Sequence, residues 1–170
     1  PTPTKSKPCS WPMALSYAFP AVVDLIAGGL PELMWGHNSY LNAVLDAKGG
    51  TLWHTPYHNN TEVRSLMAPG DADGDGNLEL LASTTLGVLL LDPVDGRALR
   101  TLSGVDPAST DIVAADIDAD EHDEFLFASG SNLHCVELVD GNLRLAWTIN
   151  AGGNSSDIAL ADVNGALFLD

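Results

Sequence analysis

The feature that most constrains this chain is self-similarity at a period near 46 residues. Segments AVVDLIAGGLPEL from Ala21, APGDADGDGNLEL from Ala68, AADIDADEHDEFL from Ala114 and LADVNGALFLD from Leu160 each hold an Asp followed eight residues later by an acid. The pairs are Asp24 and Glu32, Asp71 and Glu79, Asp116 and Glu124, and Asp162 and Asp170; their leading residues lie 47, 45 and 46 positions apart. A second landmark repeats beside the first. Lys48-Gly49-Gly50, Val94-Asp95-Gly96 and Val139-Asp140-Gly141 end in glycines 46 and 45 positions apart, each between two apolar or half-apolar runs. Asp-Gly between such runs is a hairpin signal, because both central residues of the tight turn need positive φ.

Each repeat therefore reads as strands. In the third, DIVAADI, EFLFAS, HCVELV and LRLAWTI give four, separated by the acidic loop and the Asp140-Gly141 turn. The runs LLAST with GVLLLD, and FLFAS with HCVEL, are apolar on both faces, as a sheet sandwiched between neighbouring sheets must be. No segment has helical periodicity. Four strands per unit of 40 to 50 residues is the pattern of a β-propeller blade, and two landmarks in register over three units disfavour the competing β-sandwich. The predicted fold is all-β: propeller blades of four antiparallel strands in an incomplete ring. After a leader or linker over 1–19, the repeats run over about 20–65, 66–111 and 112–156, with a fourth starting at 157–170. Closed propellers have about 4 to 8 blades, so about three and a third repeats leave open faces for further segments or copies to cover.

Composition narrows the partners. The 170 residues carry 7 Lys and Arg against 23 Asp and Glu, a net charge of −16 that repels nucleic acid and anionic headgroups and attracts cations. No run approaches the roughly 20 apolar residues of a membrane span. The opening PTPTKSKP lacks the apolar core of a signal peptide. A start at Pro1 suggests a processed or trimmed product, which leaves export open. Cys9 and Cys135 allow one disulfide at most, and their spacing does not decide whether they pair.

The negative charge is concentrated where it can do chemistry. Loop 71–79 has acids at positions 1, 3, 5 and 9 (Asp71, Asp73, Asp75, Glu79) and Gly76 at position 6. Carboxylates converging in a tight turn need a counter-charge, and Ca²⁺ fits because it takes six to eight oxygen ligands; the backbone carbonyl of Asn77 at position 7 would add one. An EF-hand would need Glu at position 12, where Ala82 stands between strand-like flanks. Loop 116–124 keeps Asp116, Asp118, Asp120 and Glu124 but has Glu121 at position 6, a costlier turn. Loop 24–32 keeps only its end acids, with Ile26 and Gly28 between, and is expected to hold no metal. In the fourth loop Asp162, Asn164 and Asp170 remain, and its metal binding is left open.

The stretches GDADGDGNLELL and ADIDADEHDEFLF resemble the calcium loops of FG-GAP or VCBS-type repeats, found in integrin α-like β-propellers, and the resemblance covers about residues 20–170. It implies a loop joining the first two strands of a blade, with Ca²⁺ held by Asp71, Asp73, Asp75, Asn77 and Glu79, and by Asp116, Asp118, Asp120, His122 and Glu124. The Gly-Ala-Pro after the family's loop is replaced by Ala82-Ser83-Thr84 and Ala128-Ser129-Gly130, which brings the looser VCBS type nearer. The segment from Leu45 to Trp53 also resembles the outer hairpin of quinoprotein-like repeats.

No catalytic constellation stands out: there is no Gly-x-Ser-x-Gly elbow, phosphate loop or zinc-protease helix. His54 and His58 have helical chelate spacing, but Pro56 between them argues against a helix. Trp35, Trp53 and Trp147 fall in or beside expected strands, where blade packing accounts for them and sugar stacking is the functional alternative. Asn59 and Asn154 head sequons and are candidate glycosylation sites. Calcium loops of this kind suit the millimolar Ca²⁺ outside cells. The leading expectation is thus a non-enzymatic, extracellular or cell-surface calcium-stabilised module for adhesion, ligand binding or assembly, with protein or carbohydrate ligands. Two alternatives stand beside it. One is part of a propeller-type polysaccharide lyase, since lyases resembling these repeats use Ca²⁺ near the substrate groove; the other is a self-assembling structural subunit.

Overall fold

The computed structural model describes residues 21–37, 41–54, 67–153 and 157–161, with side-chain surroundings omitted for 35–37 and 41–43. The described residues form three four-stranded antiparallel sheets and no helix. Sheet one contains β1 (Ala21–Val23), β2 (Glu32–His37), β3 (Leu41–Leu45) and β4 (Thr51–His54). Sheet two contains β5 (Ala68–Gly70), β6 (Glu79–Thr84), β7 (Gly87–Leu91) and β8 (Ala98–Leu102). Sheet three contains β9 (Val113–Ala115), β10 (Glu124–Ser129), β11 (Asn132–Val139) and β12 (Asn142–Asn150). In each, strands pair in chain order and the sheet stays open.

The sheets stack face to face, and the doubly apolar sequence of the central sheet is the reason they can. Along β6, Leu80 and Ala82 join Leu25, Met34, Val44 and Trp53 of sheet one in one core, while Leu81 points into the other. That second core brings Val88 and Leu90 against Phe125, Phe127, Val136 and Leu143 of sheet three. All six residues of β6 are buried, so the period-two alternation of a half-solvated strand is absent. Full burial of Phe125 or Phe127 contributes roughly 2–3 kcal/mol by transfer from water.

The hairpins differ from the uniform turn expected. Asp140-Gly141 is a two-residue turn with φ of 50° and 71°, as its sequence predicts. In sheets one and two the connection is longer and led by an Asp. The Asp46 N–H donates to the Gly50 carbonyl and the Gly49 N–H to that of Asp46; Asp92 pairs in the same way with Arg97 and Gly96. The left-handed residues are Gly49 and Gly96, so the structural counterpart of Gly96 is Gly49 rather than Gly50. A bulge follows Val44, Leu90 and Cys135 alike, so the loops differ in what comes after it: in sheet three pairing runs on from Val136 to Val139 and closes on the Asp140-Gly141 turn, whereas in sheets one and two it stops at Leu45 and Leu91.

The outer hairpins also lock neighbouring sheets together. Trp53 on β4 lies over Gly96, where any side chain would collide with its ring, and donates its indole N–H to the Pro93 carbonyl at 2.7 Å. Arg100, facing Leu90 as Trp53 faces Val44, reaches from sheet two to the Gly141 carbonyl of sheet three. Inter-sheet packing thus accounts for Trp53; Trp147, opposite Cys135 on β12, is half-buried. Cys135 is a buried free thiol whose pKa burial pushes up to about 12. Cys9, His58, Asn59, Asn154, Asp162, Asn164, Asp170 and the leader lie outside the described residues, as do the side-chain surroundings of Trp35.

Candidate metal centres

Each acidic loop is the connection between the first two strands of its sheet, closed by equivalent pairs: Val23 with Glu32, Gly70 with Glu79, and Ala115 with Glu124. The position-9 acid therefore opens the second strand with its side chain turned back under the loop. Glu32 accepts from the N–H groups of Leu25 and Ile26 at 2.9 and 3.2 Å, Glu79 from Ala72 at 3.1 Å, and Glu124 from Ile117 at 3.0 Å. All three glutamates are buried. Because Glu32 does this in the loop that lacks acids at positions 3 and 5, position 9 has a backbone-capping role separate from any cation.

Position 1 organises the other end. Asp71 accepts from the N–H groups of Asp75 (3.1 Å) and Gly76 (2.9 Å); Asp116 accepts from Ala119, Asp120 and Glu121 at 2.7–3.2 Å. The turn needs two left-handed residues, at positions 4 and 6: Gly74 and Gly76 in one loop, Ala119 (65°) and Glu121 (72°) in the other. Strain at Glu121 is as the sequence predicts; position 4 was not read from it, although Gly74 was the available signal. A left-handed non-glycine residue costs roughly 1–2 kcal/mol, so loop 116–124 holds its shape against more strain than loop 71–79.

These bonds gather two equivalent ligand sets. Oxygens of Asp71, Asp73 and Glu79 lie within 4.8 Å of one another, as do those of Asp116, Asp118 and Glu124. Two oxygens on one Ca²⁺ at 2.3–2.6 Å are at most about 5 Å apart, so either set can share an ion of that size. Oxygen-only, carboxylate-rich donors suit a hard cation. Asp75 and Asp120 stand outside these sets. Each accepts instead from the N–H two residues on, Asn77 at 2.8 Å and His122 at 3.0 Å, and Asp75 also accepts from the Asn77 side-chain amide. Asn77 and His122 hold position 7, where the resemblance assigns a backbone carbonyl ligand.

The buried glutamates carry the electrostatic strain. Burial, and then the neighbouring aspartates, raise Glu79 and Glu124 to about 7, although the N–H bonds from Ala72 and Ile117 oppose the shift. Since these folded-state values lie above 4.5, the folded protein binds more protons than the unfolded chain between pH 4.5 and 7. Metal-free protein is therefore expected to lose stability as pH rises through that window. Its urea midpoint should be lower at pH 7.5 than at pH 5; an equal or higher midpoint would contradict the raised values. The affinity of either set for a divalent cation should move oppositely, rising with pH as the carboxylates ionise.

Beside the first set, a cavity of about 150 Å³ is lined by Asp73, Glu79, Leu90, Leu99, Arg100 and Leu138. Sequence reading did not anticipate it, because Arg100 lies 21 positions beyond Glu79 and arrives only through the outer strand of the same sheet.

Together these observations define an all-β repeat protein of stacked four-stranded sheets with acidic loops at equivalent connections. No protein-family model matches the sequence, and no curated protein matches it. Among solved structures, the chain is similar to exotype rhamnogalacturonan lyase YesX, at 16% identity over 88% of this chain and with a TM-score of 0.60. It is also matched to the V. cholerae biofilm matrix protein Bap1, at 17% identity over 81% of the chain and with a TM-score of 0.48. The likeness to the lyase is one of fold. The chain spans 37% and 29% of the lengths of these two proteins.

Proposed function

We propose that this chain is a segment of a calcium-stabilised β-propeller of the FG-GAP/VCBS type, working outside the cell or at its surface in adhesion, ligand binding or assembly rather than catalysis. The observation that carries this reading is the pair of equivalent carboxylate sets, Asp71, Asp73, Glu79 and Asp116, Asp118, Glu124, at the same connection of successive sheets. Asp75 and Asp120 would join these sets in holding the ion, which would supply the positive charge that lets the carboxylates stay ionised. Its role is to stiffen the loop and, through positions 1 and 9, the first two strands. Protein or carbohydrate ligands, or further repeats or copies, would meet the outer sheets, where Val22, Leu52 and Ile149 are exposed. Calorimetric titration should find two Ca²⁺ per chain, and Asp71→Ala or Asp116→Ala should each remove one. Absence of binding at millimolar Ca²⁺ would end this reading.

The alternative, part of a polysaccharide lyase, draws on the fold likeness and on Arg100 beside Asp73 and Glu79 in the cavity. Two facts weigh against it. The cavity is smaller than the roughly 300–1,000 Å³ of ordinary ligand pockets, and the Arg100 guanidinium is tied to the carbonyls of Leu99 and Gly141 as an inter-sheet clamp. Release of unsaturated sugars from an acidic polysaccharide by calcium-loaded protein would favour the lyase.

A further inference from the structure

Asp123 occupies position 8 of its loop, a place held by Pro31 and Leu78 in the two preceding loops. It is not one of the clustered carboxylates and faces across to the neighbouring sheet. Its carboxylate accepts from the Asp71 N–H at 2.9 Å, and its own N–H donates to the Asp71 carbonyl at 2.8 Å. Both peptide groups flanking the Asp71 side chain are thus held by one residue 52 positions away. The contact continues alongside: a Cβ on Gly74 would lie 2.6 Å from the His122 ring and 3.1 Å from the Glu121 carbonyl, so the two loops touch along their length.

We propose that Asp123 couples the acidic loops of sheets two and three, so that a divalent cation held by one raises the affinity of the other. The inference rests on the calcium reading above and adds a direction to it. On either side of Asp123 stand His122 and Glu124, which that reading makes ligands of the sheet-three ion. An ion there fixes the backbone of Asp123, and the reciprocal bonds pass that order to Asp71, which leads the sheet-two set. A site ordered in advance loses less conformational freedom on binding, and linkage requires the effect to be mutual.

Calcium titrations followed by the Gly76 and Glu121 amide resonances test this, since these N–H groups donate to Asp71 and Asp116 and report the two loops separately. Removing the second site with Asp116→Ala should weaken the first by about fivefold or more, the lower end of ordinary coupling between sites. In an Asp123→Leu background, which installs the residue found at position 8 of the sheet-two loop, Asp116→Ala should leave the first site unchanged. Asp123→Asn keeps an acceptor for the Asp71 N–H and should retain the coupling, which gives a readout even if Asp123→Leu does not fold. Two filled sites with Asp116→Ala leaving the Gly76 titration unmoved would overturn the coupling and leave the calcium reading standing. No calcium-dependent shift in the parent protein would overturn both.

Discussion

On the calcium reading proposed above, removing the ion is expected to lower the melting temperature by about 10–20 °C. Each ion at about 100 times its Kd adds about 2.7 kcal/mol to the folded state, so two contribute roughly 5 kcal/mol. One kcal/mol moves Tm by about 2–4 °C at this chain length. The loss should be reversed by Ca²⁺, because the carboxylates at positions 1, 3 and 9 already lie within reach of one ion before it binds. Melting curves in millimolar Ca²⁺ and in chelator check this; superimposable curves would show that the loops are solvated turns and the metal reading is wrong.

The second large effect is expected at Glu79. Glu79→Ala removes a ligand and leaves the buried Ala72 N–H without its acceptor, which by itself costs about 1–3 kcal/mol. Adding the lost ion, about 2.7 kcal/mol at saturation, brings the total in calcium to about 4–6 kcal/mol. Glu79→Gln separates the two contributions. Its amide oxygen can still accept from Ala72, so stability in chelator at pH 5, where Glu79 is itself protonated, should change little, while stabilisation by Ca²⁺ at this loop disappears. Glu32→Ala is the companion measurement: it removes the cap on Leu25 and Ile26 in the loop without the other acids, so its cost should be the same with and without calcium. Urea unfolding of the three variants in both conditions gives the comparison. Equal losses for Glu79→Ala with and without Ca²⁺ would assign this residue to capping alone.

Much of the site was readable because its chemistry is local. An Asp at position 1 and an acid at position 9, spaced across the connection between two short strands, meet through bonds within nine residues, and the 46-residue repetition set that loop apart from a chance Asp-Gly turn. Positions 5 were the exception. Asp75 and Asp120 look equivalent to Asp73 and Asp118 in sequence, yet their carboxylates lie outside the clustered oxygens. Arg100 and Asp123 had no sequence signal, because their partners lie 41 and 52 positions away, in neighbouring sheets.

By itself the sequence determined the all-β class, four strands per repeat, the doubly apolar central sheet and both acidic loops. Periodicity, turn chemistry and like-charge crowding act over a few residues and leave their record along the chain. Tertiary structure alone decided which hairpins close on a tight turn and which on a longer loop, that Trp53 and Arg100 clamp successive sheets, and that the two acidic loops are bonded to each other through Asp123. Those features depend on how closely one sheet approaches the next, a distance set by the packing of Leu80 and Ala82 against Met34 and Val44 across one interface and of Leu81 and Leu90 against Phe125 and Phe127 across the other.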